Sequence, residues 1–249
     1  KKSQALLMYL ASPPGVARSR EQLAGMSWSR NADEQARTNL RQNLARLRKS
    51  LGDAKDVVST DAHQITLAPE QVETDVAKFE GLASRDDVAS LEAAAALLGG
   101  EFAAGFHLNE APFEEWITGE RRRISELTIK AMGRLLEHYE GADDYGNAAT
   151  IAAKLLAMDP LQEQVHQSLM RALAHQDRFE SALLQYKICR DVLKKELGIN
   201  PSDEIRAMHE EISRRRESVR HVANAPAVET DGLIRVLDDK PQAATAASS

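Results

Sequence analysis

Cysteine is almost absent: the 249-residue chain holds Cys189 alone. One thiol supports neither a disulfide framework nor a thiolate metal cluster, and it points to a reducing compartment, so a cytoplasmic protein is expected. Aromatic residues are scarce as well, with 5 Phe, 4 Tyr and 2 Trp. Strands favour aromatic and β-branched side chains, so a sequence rich in Ala, Leu, Glu and Arg predicts a mainly α fold rather than a β-sandwich. No apolar run approaches the roughly 18 residues that a membrane helix needs, and 28% charged residues with a mean hydropathy of -0.43 describe a soluble globular chain.

The motifs of catalysis are missing too. The seven histidines (His63, His107, His138, His166, His175, His209, His221) show no metal-ligand spacing on a common face with carboxylates. There is no Ser/His/Asp arrangement, and Gly99, Gly100 and Gly105 fit turns better than a phosphate-cradling loop. Asp143-Asp144 reads as a solvated turn between helices, so no enzyme, cofactor or metal is expected.

At about 150 residues per domain the length allows one large or two small domains. The net charge of -6 is distributed unevenly. Residues 1–68 carry 11 Lys and Arg against 6 Asp and Glu, a net +5, which leaves -11 on residues 69–249. A basic block joined to a larger acidic one is the charge layout of a nucleic-acid-binding module fused to a partner domain. The chain opens on Lys1 without a charged-then-apolar leader, and it is expected to be a piece of a longer protein.

Leu6, Leu7 and Leu10 at helical spacing predict a first helix from about Lys2 to Ser12, ended by Pro13-Pro14-Gly15. Ser19 with Gln22 forms a capping box before a short helix carrying Leu23, Met26 and Trp28. Asn31 with Glu34 repeats the device before a long amphipathic helix, in which Ala36, Leu40, Leu44, Leu47 and Leu51 share one face until Gly52 caps it. Residues 57–60 and 64–67 then read as the strands of a hairpin. Residues 76–98 read as helical, and a long helix is expected from near Phe113.

A 34-residue offset aligns Tyr139 with Leu173, Tyr145 with Phe179, Ala148 with Ala182, and Leu155 with Cys189. That is the tetratricopeptide period. A last helix after Ser202 is expected to dissolve at Arg214-Arg215-Arg216, with linker from about Ser218 and a weak strand signal over residues 232–237. Cys189, Trp28 and Trp116 are read as packing residues, and Arg121-Arg122-Arg123 as a solvated face neutralised by glutamates on its own helix.

At about 100° per residue, the apolar positions of 33–51 span a sector of roughly 80°, opposite Thr38, Gln42, Ala45 and Lys49. Arg41 and Arg48 flank that polar face on one side and Arg46 on the other. Cations on such a helix meet phosphates, while Arg and Gln pair with base edges in the major groove. Helix, short helix, long basic helix and hairpin follow the winged helix-turn-helix order.

The segment Arg37-Thr38-Asn39-Leu40-Arg41-Gln42-Asn43-Leu44-Ala45-Arg46-Leu47-Arg48-Lys49-Ser50-Leu51 resembles the recognition helix of the bacterial transcriptional activator domain family, the antibiotic-regulatory-protein type regulators. Further matches are Ser19-Arg20-Glu21-Gln22-Leu23-Ala24 with Trp28, Thr74-Asp75-Val76, Gly100-Glu101-Phe102-Ala103-Ala104-Gly105-Phe106, Phe113-Glu114-Glu115-Trp116, Met158-Asp159-Pro160-Leu161 and Glu196-Leu197-Gly198-Ile199-Asn200-Pro201. They run in order over about residues 1–212. The resemblance implies an OmpR-like winged-helix domain with a short β-hairpin wing over residues 1–68, followed by an all-helical, tetratricopeptide-like activation domain over 69–216 and a flexible tail over 217–249. It also implies a small sheet ahead of the first helix, which lies outside this sequence.

The resulting expectation is a transcriptional regulator that binds double-stranded promoter DNA and, as the resemblance implies, RNA polymerase, with possible self-association on DNA and no membrane partner. Arg37, Thr38, Arg41, Gln42, Arg46 and Lys49 are expected to touch DNA, with Arg18 or Arg20 supporting the backbone contact and His63 near the wing tip. The other reading is a tetratricopeptide-like interaction or sensory module of a larger signalling protein, with a winged helix that does not bind DNA.

Overall fold

The computed structural model describes residues 1–97 and 100–223. The elements run α1 (Lys2–Leu10), β1 (Arg18–Ser19), α2 (Arg20–Ser27), α3 (Asp33–Leu51), β2 (Val58–Thr60), β3 (Gln64–Leu67), α4 (Asp75–Ala83), α5 (Val88–Leu97), α6 (Ala111–Gly141), α7 (Tyr145–Met158), α8 (Glu163–His175), α9 (Phe179–Glu196) and α10 (Asp203–Ala223). The protein is mainly α, as its composition requires, with one small antiparallel sheet near its start.

The expected apolar stripe of α3 is buried: Ala36, Leu40, Leu44 and Leu47 lie in one cluster with Leu6, Leu10, Leu23, Trp28, Ile65 and Leu67. Removing one such leucine side chain from a packed core costs about 2–5 kcal/mol. The Ser19 hydroxyl accepts the Gln22 N–H at 3.0 Å, so the cap of α2 forms as its spacing predicts. The Gln22 side chain does not complete the box, since its Nε2 donates to the Tyr9 hydroxyl at 2.7 Å, and the second expected box is absent altogether. Ala32 is the N-cap of α3 and offers no side-chain bond, and the first turn relies on Asp33 and Glu34 beside the positive helix end. At the other end Gly52 takes φ 59° with ψ -121°, a glycine conformation outside the left-handed helical cap that was expected, and the chain enters a 3-10 turn.

The hairpin has a third strand. Arg18 pairs with Ile65 and Ser19 with Gln64, giving the order β1-β3-β2. Two residues carry no alternating pattern, so β1 had no readable periodicity.

The helical residues expected over 76–98 divide into two helices, α4 and α5. The Asp87 carboxylate accepts the Ser90 N–H at 2.8 Å and starts a new helix after the turn. The last helix departs from expectation in the other direction. It continues through Arg214-Arg215-Arg216 to Ala223, because Arg215 lies over the Phe179 ring and reaches Asp177, while Arg216 pairs with Glu180. The linker expected from Ser218 is therefore helix as far as residue 223, and the strand expected at 232–237 lies outside the described residues.

The 34-residue offset reappears in the backbone. Asp143 and Asp177 both have φ 56°, and Asp144 N–H bonds Tyr139 O at 2.9 Å just as Arg178 N–H bonds Leu173 O at 2.9 Å. Ala148 and Ala182 are fully buried where helices approach closely. Cys189 is also fully buried, and burial first, then the Glu163 charge, pushes its thiol up to about 11, which suits a packing role.

Candidate nucleic-acid interface

The third helix projects its polar side into solvent. Arg37, Thr38, Arg41, Gln42, Ala45, Arg46 and Lys49 are all exposed, on the side opposite Leu40, Leu44 and Leu47. Among the described residues, Arg41, Arg46 and Lys49 have no carboxylate within 4.0 Å and no side-chain hydrogen bond. Arg37 differs, since its Nη2 lies 2.8 Å from Glu21 Oε1 across the turn between α2 and α3. Both partners are exposed, so that pair contributes little and yields readily to a phosphate.

The remaining arginines serve the architecture. Arg48 Nη2 donates to Val58 O at 2.7 Å and to Thr60 Oγ1 at 2.9 Å, which ties α3 to the first wing strand. Arg20 Nε donates to Asp61 O at 3.0 Å, and its backbone N–H donates to His63 O at 2.9 Å. Arg18 Nη2 donates to Ser12 O at 3.1 Å, and its guanidinium lies 4.6 Å from the centre of the Tyr9 ring.

His63 occupies the exposed turn between β2 and β3. Asp61 Oδ1 shapes that turn by accepting the N–H groups of His63 at 2.7 Å and Gln64 at 2.6 Å. These backbone bonds hold the Asp61 carboxyl below its ordinary value. The geometry therefore separates an unpaired cluster on α3, namely Thr38, Arg41, Gln42, Arg46 and Lys49, from a scaffold of Arg18, Arg20 and Arg48. Two further exposed cations sit at the ends of α3, Arg30 before it and Lys55 after it. Their only sequence signal was their share of the +5 block, since neither lies on a periodic element.

A second organising contact joins this region to the long helix. Glu110, the N-cap of α6, is 7% exposed. Its Oε1 lies 3.0 Å from Lys2 Nζ, and its Oε2 accepts the Ser29 N–H at 3.0 Å and the Ser29 hydroxyl at 2.8 Å. Burial works to raise this carboxyl, but the bonds from Ser29 and Lys2 outweigh it and leave it below its ordinary value. Beside it Trp116 packs edge-on to Tyr9 at 5.0 Å, with Phe102 and Phe113 around it. Trp28 and Trp116 are thus packing residues, as expected. The arginine run of α6 is neutralised half from its own helix, as expected, and half from outside it: Arg122 faces Glu126 and Arg123 Glu120 on α6, while Arg121 faces Glu101 and Arg123 also Glu80.

A family model described as the bacterial transcriptional activator domain matches residues 74–213, more than half of the chain. The chain belongs to this family. Its members are transcriptional regulators rather than enzymes. The regulatory protein AfsR of Streptomyces griseus is 25% identical over 235 residues, a match covering 90% of this chain and 23% of the relative. The structure of Mycobacterium tuberculosis EmbR in complex with a low-affinity phosphopeptide shares the fold, with a TM-score of 0.60 at 20% identity over 89% of this chain and 62% of that one. The chain thus spans under two thirds of the length of either relative. No helix among the described residues is long and apolar enough to cross a membrane.

Proposed function

We propose that the protein regulates transcription by binding double-stranded promoter DNA through the exposed face of α3, within a winged-helix unit over residues 1–68. The observation that carries this reading is the unpaired set Arg41, Arg46 and Lys49 around Thr38 and Gln42, on a helix whose opposite face is fixed in the core. In this reading α3 enters the major groove, where the cations neutralise phosphates and Gln42 or Arg41 meets base edges. Arg37 joins them by exchanging Glu21 for a phosphate. Arg48 and Arg20 hold the wing so that His63 lies against the adjacent backbone, and Arg18 braces the start of the sheet.

The helical unit over residues 69–216 is then the part that contacts RNA polymerase or a second copy bound alongside. Leu184 and Ile188, exposed by 56% and 43% one turn apart on α9, give it an apolar surface for such a contact. The test is fluorescence anisotropy of the chain with labelled promoter fragments at several salt concentrations. Site-specific binding that falls steeply with salt supports the proposal. Retention insensitive to DNA sequence, or none at low salt, removes it in favour of an interaction module that does not read DNA.

A further inference from the structure

The helical unit contains a cavity unrelated to the α3 surface. It has a volume of about 650 Å³ and lies between the end of α5, residues 100–102, the middle of α6 and the end of α7. That is within the range of about 300–1,000 Å³ usual for small-ligand sites. Ala95, Phe102, Ile124, Met132, Ala157 and Met158 give it apolar walls. Thr128, also in the wall, donates its hydroxyl to Ile124 O at 2.8 Å and so keeps its polar atom within the helix.

The cavity's charge is opposite to that of its surroundings. Arg121, Arg122 and Lys154 line it with a single acid, Glu101, although residues 69–249 together carry -11. One of the cations is already engaged. Arg121 donates to the carbonyls of Phe102 and Ala103 at 3.0 and 2.8 Å, whereas Arg122 has only an exposed ion pair with Glu126 at 3.7 Å, which holds it weakly. Among the described residues, the Lys154 ammonium and the Ser125 hydroxyl have no hydrogen-bond or ion-pair partner. The Lys154 ammonium and the Ser125 hydroxyl beside carbon walls match a ligand with an anionic head and an apolar body.

We propose that this cavity binds a small amphiphilic carboxylate, with Lys154 and Ser125 holding the carboxylate and Phe102, Met132 and Met158 covering the apolar body. Each contact follows ordinary site chemistry, a few convergent polar groups on an apolar floor. The site deepens the regulatory role by giving the helical unit an effector, and it is independent of whether α3 binds DNA.

The test is calorimetric titration of the full chain with decanoate, decanol and decylammonium, each below its aggregation concentration. Saturable one-to-one binding of decanoate is expected, at least tenfold tighter than decanol, with no saturable heat from decylammonium. Lys154→Glu is expected to weaken decanoate at least tenfold and leave decanol unchanged. Ser125→Trp is expected to abolish both, and Ala157→Trp, at an exposed wall position, does the same without a risk to folding. Absence of saturable decanoate binding at millimolar concentration overturns the proposal. So does equal binding of decylammonium, or decanoate affinity that survives either Lys154→Glu or Ala157→Trp.

Discussion

Glu110 accepts two hydrogen bonds from Ser29, one from its backbone N–H and one from its hydroxyl, across 81 residues of sequence. Through this pair the turn before the basic helix is held to the first turn of the longest helix. The same carboxylate holds Lys2, whose ammonium also donates to Ser27 O at 2.7 Å and sits over the Trp28 ring. The start of α3 is thereby tied to the helical unit by a partly buried polar contact backed by the Trp116 aromatic cluster.

Replacing Glu110 with Ala is expected to destabilise the protein by about 2 kcal/mol, less than a fully buried ion pair because the Lys2 side chain is 35% exposed. Glu110→Gln, which can still accept from Ser29, is expected to lose less. Chemical denaturation of the three proteins side by side measures this, and equal stability of wild type and Glu110→Ala contradicts it.

Acid sensitivity follows from the same residue. A carboxyl held below its ordinary value favours the folded state at neutral pH, and that contribution is lost as pH falls from about 4.3 through the folded-state value. Stability is therefore expected to decline on acidification below about pH 5 less steeply in Glu110→Gln than in wild type. Parallel stability curves between pH 5 and pH 3 count against it.

The two kinds of arginine on α3 are expected to separate by experiment. Arg41→Ala leaves stability within about 0.5 kcal/mol and lowers the slope of log affinity against log salt by about one. Arg48→Ala costs about 1–2 kcal/mol of stability, since it frees Val58 O and Thr60 Oγ1 in the wing. Thermal unfolding paired with DNA titrations at three salt concentrations distinguishes them. An Arg48→Ala protein as stable as wild type, or an unchanged slope in Arg41→Ala, refutes the corresponding half.

At the repeat turns, Asp143 and Asp177 hold a conformation that β-branched residues resist. Asp143→Val is expected to destabilise by about 1–3 kcal/mol, and Asp143→Gly much less, although it loses the acceptor for the Tyr145 hydroxyl. Urea midpoints ordered wild type, Gly and Val from highest to lowest bear this out.

Cys189 is expected to be inert to thiol reagents at pH 8 in the folded protein and to react stoichiometrically once unfolded, because it is buried and its thiol is pushed up to about 11. Rapid labelling under native conditions is the contrary result.

Periodicity determined much of this protein in advance. The leucine spacing of residues 33–51 dictates a helix with one buried face and therefore which cations lie opposite it, and the 34-residue offset anticipates two turns with the same backbone shape. Both are local regularities, repeated often enough along the chain to be read without knowing what lies beside them. Where a single side chain decides, the sequence is silent. Nothing in Arg18-Ser19 announces a strand, because β1 exists only through its pairing with β3. The box at Asn31 looked as good as the one at Ser19, yet only Ser19 caps its helix.

The division of labour among the arginines is of the same kind. Arg41 and Arg48 lie two helical turns apart and read alike in sequence, but β2 lies beside only one of them. The sequence by itself determined the helical class, the basic face and the repeat, since these follow from spacing and composition. Only the tertiary structure decided which cations are already engaged, how Glu110 joins the two halves, and that a cavity remains between α5, α6 and α7. Each of these depends on partners distant in the chain, whose approach no local pattern encodes.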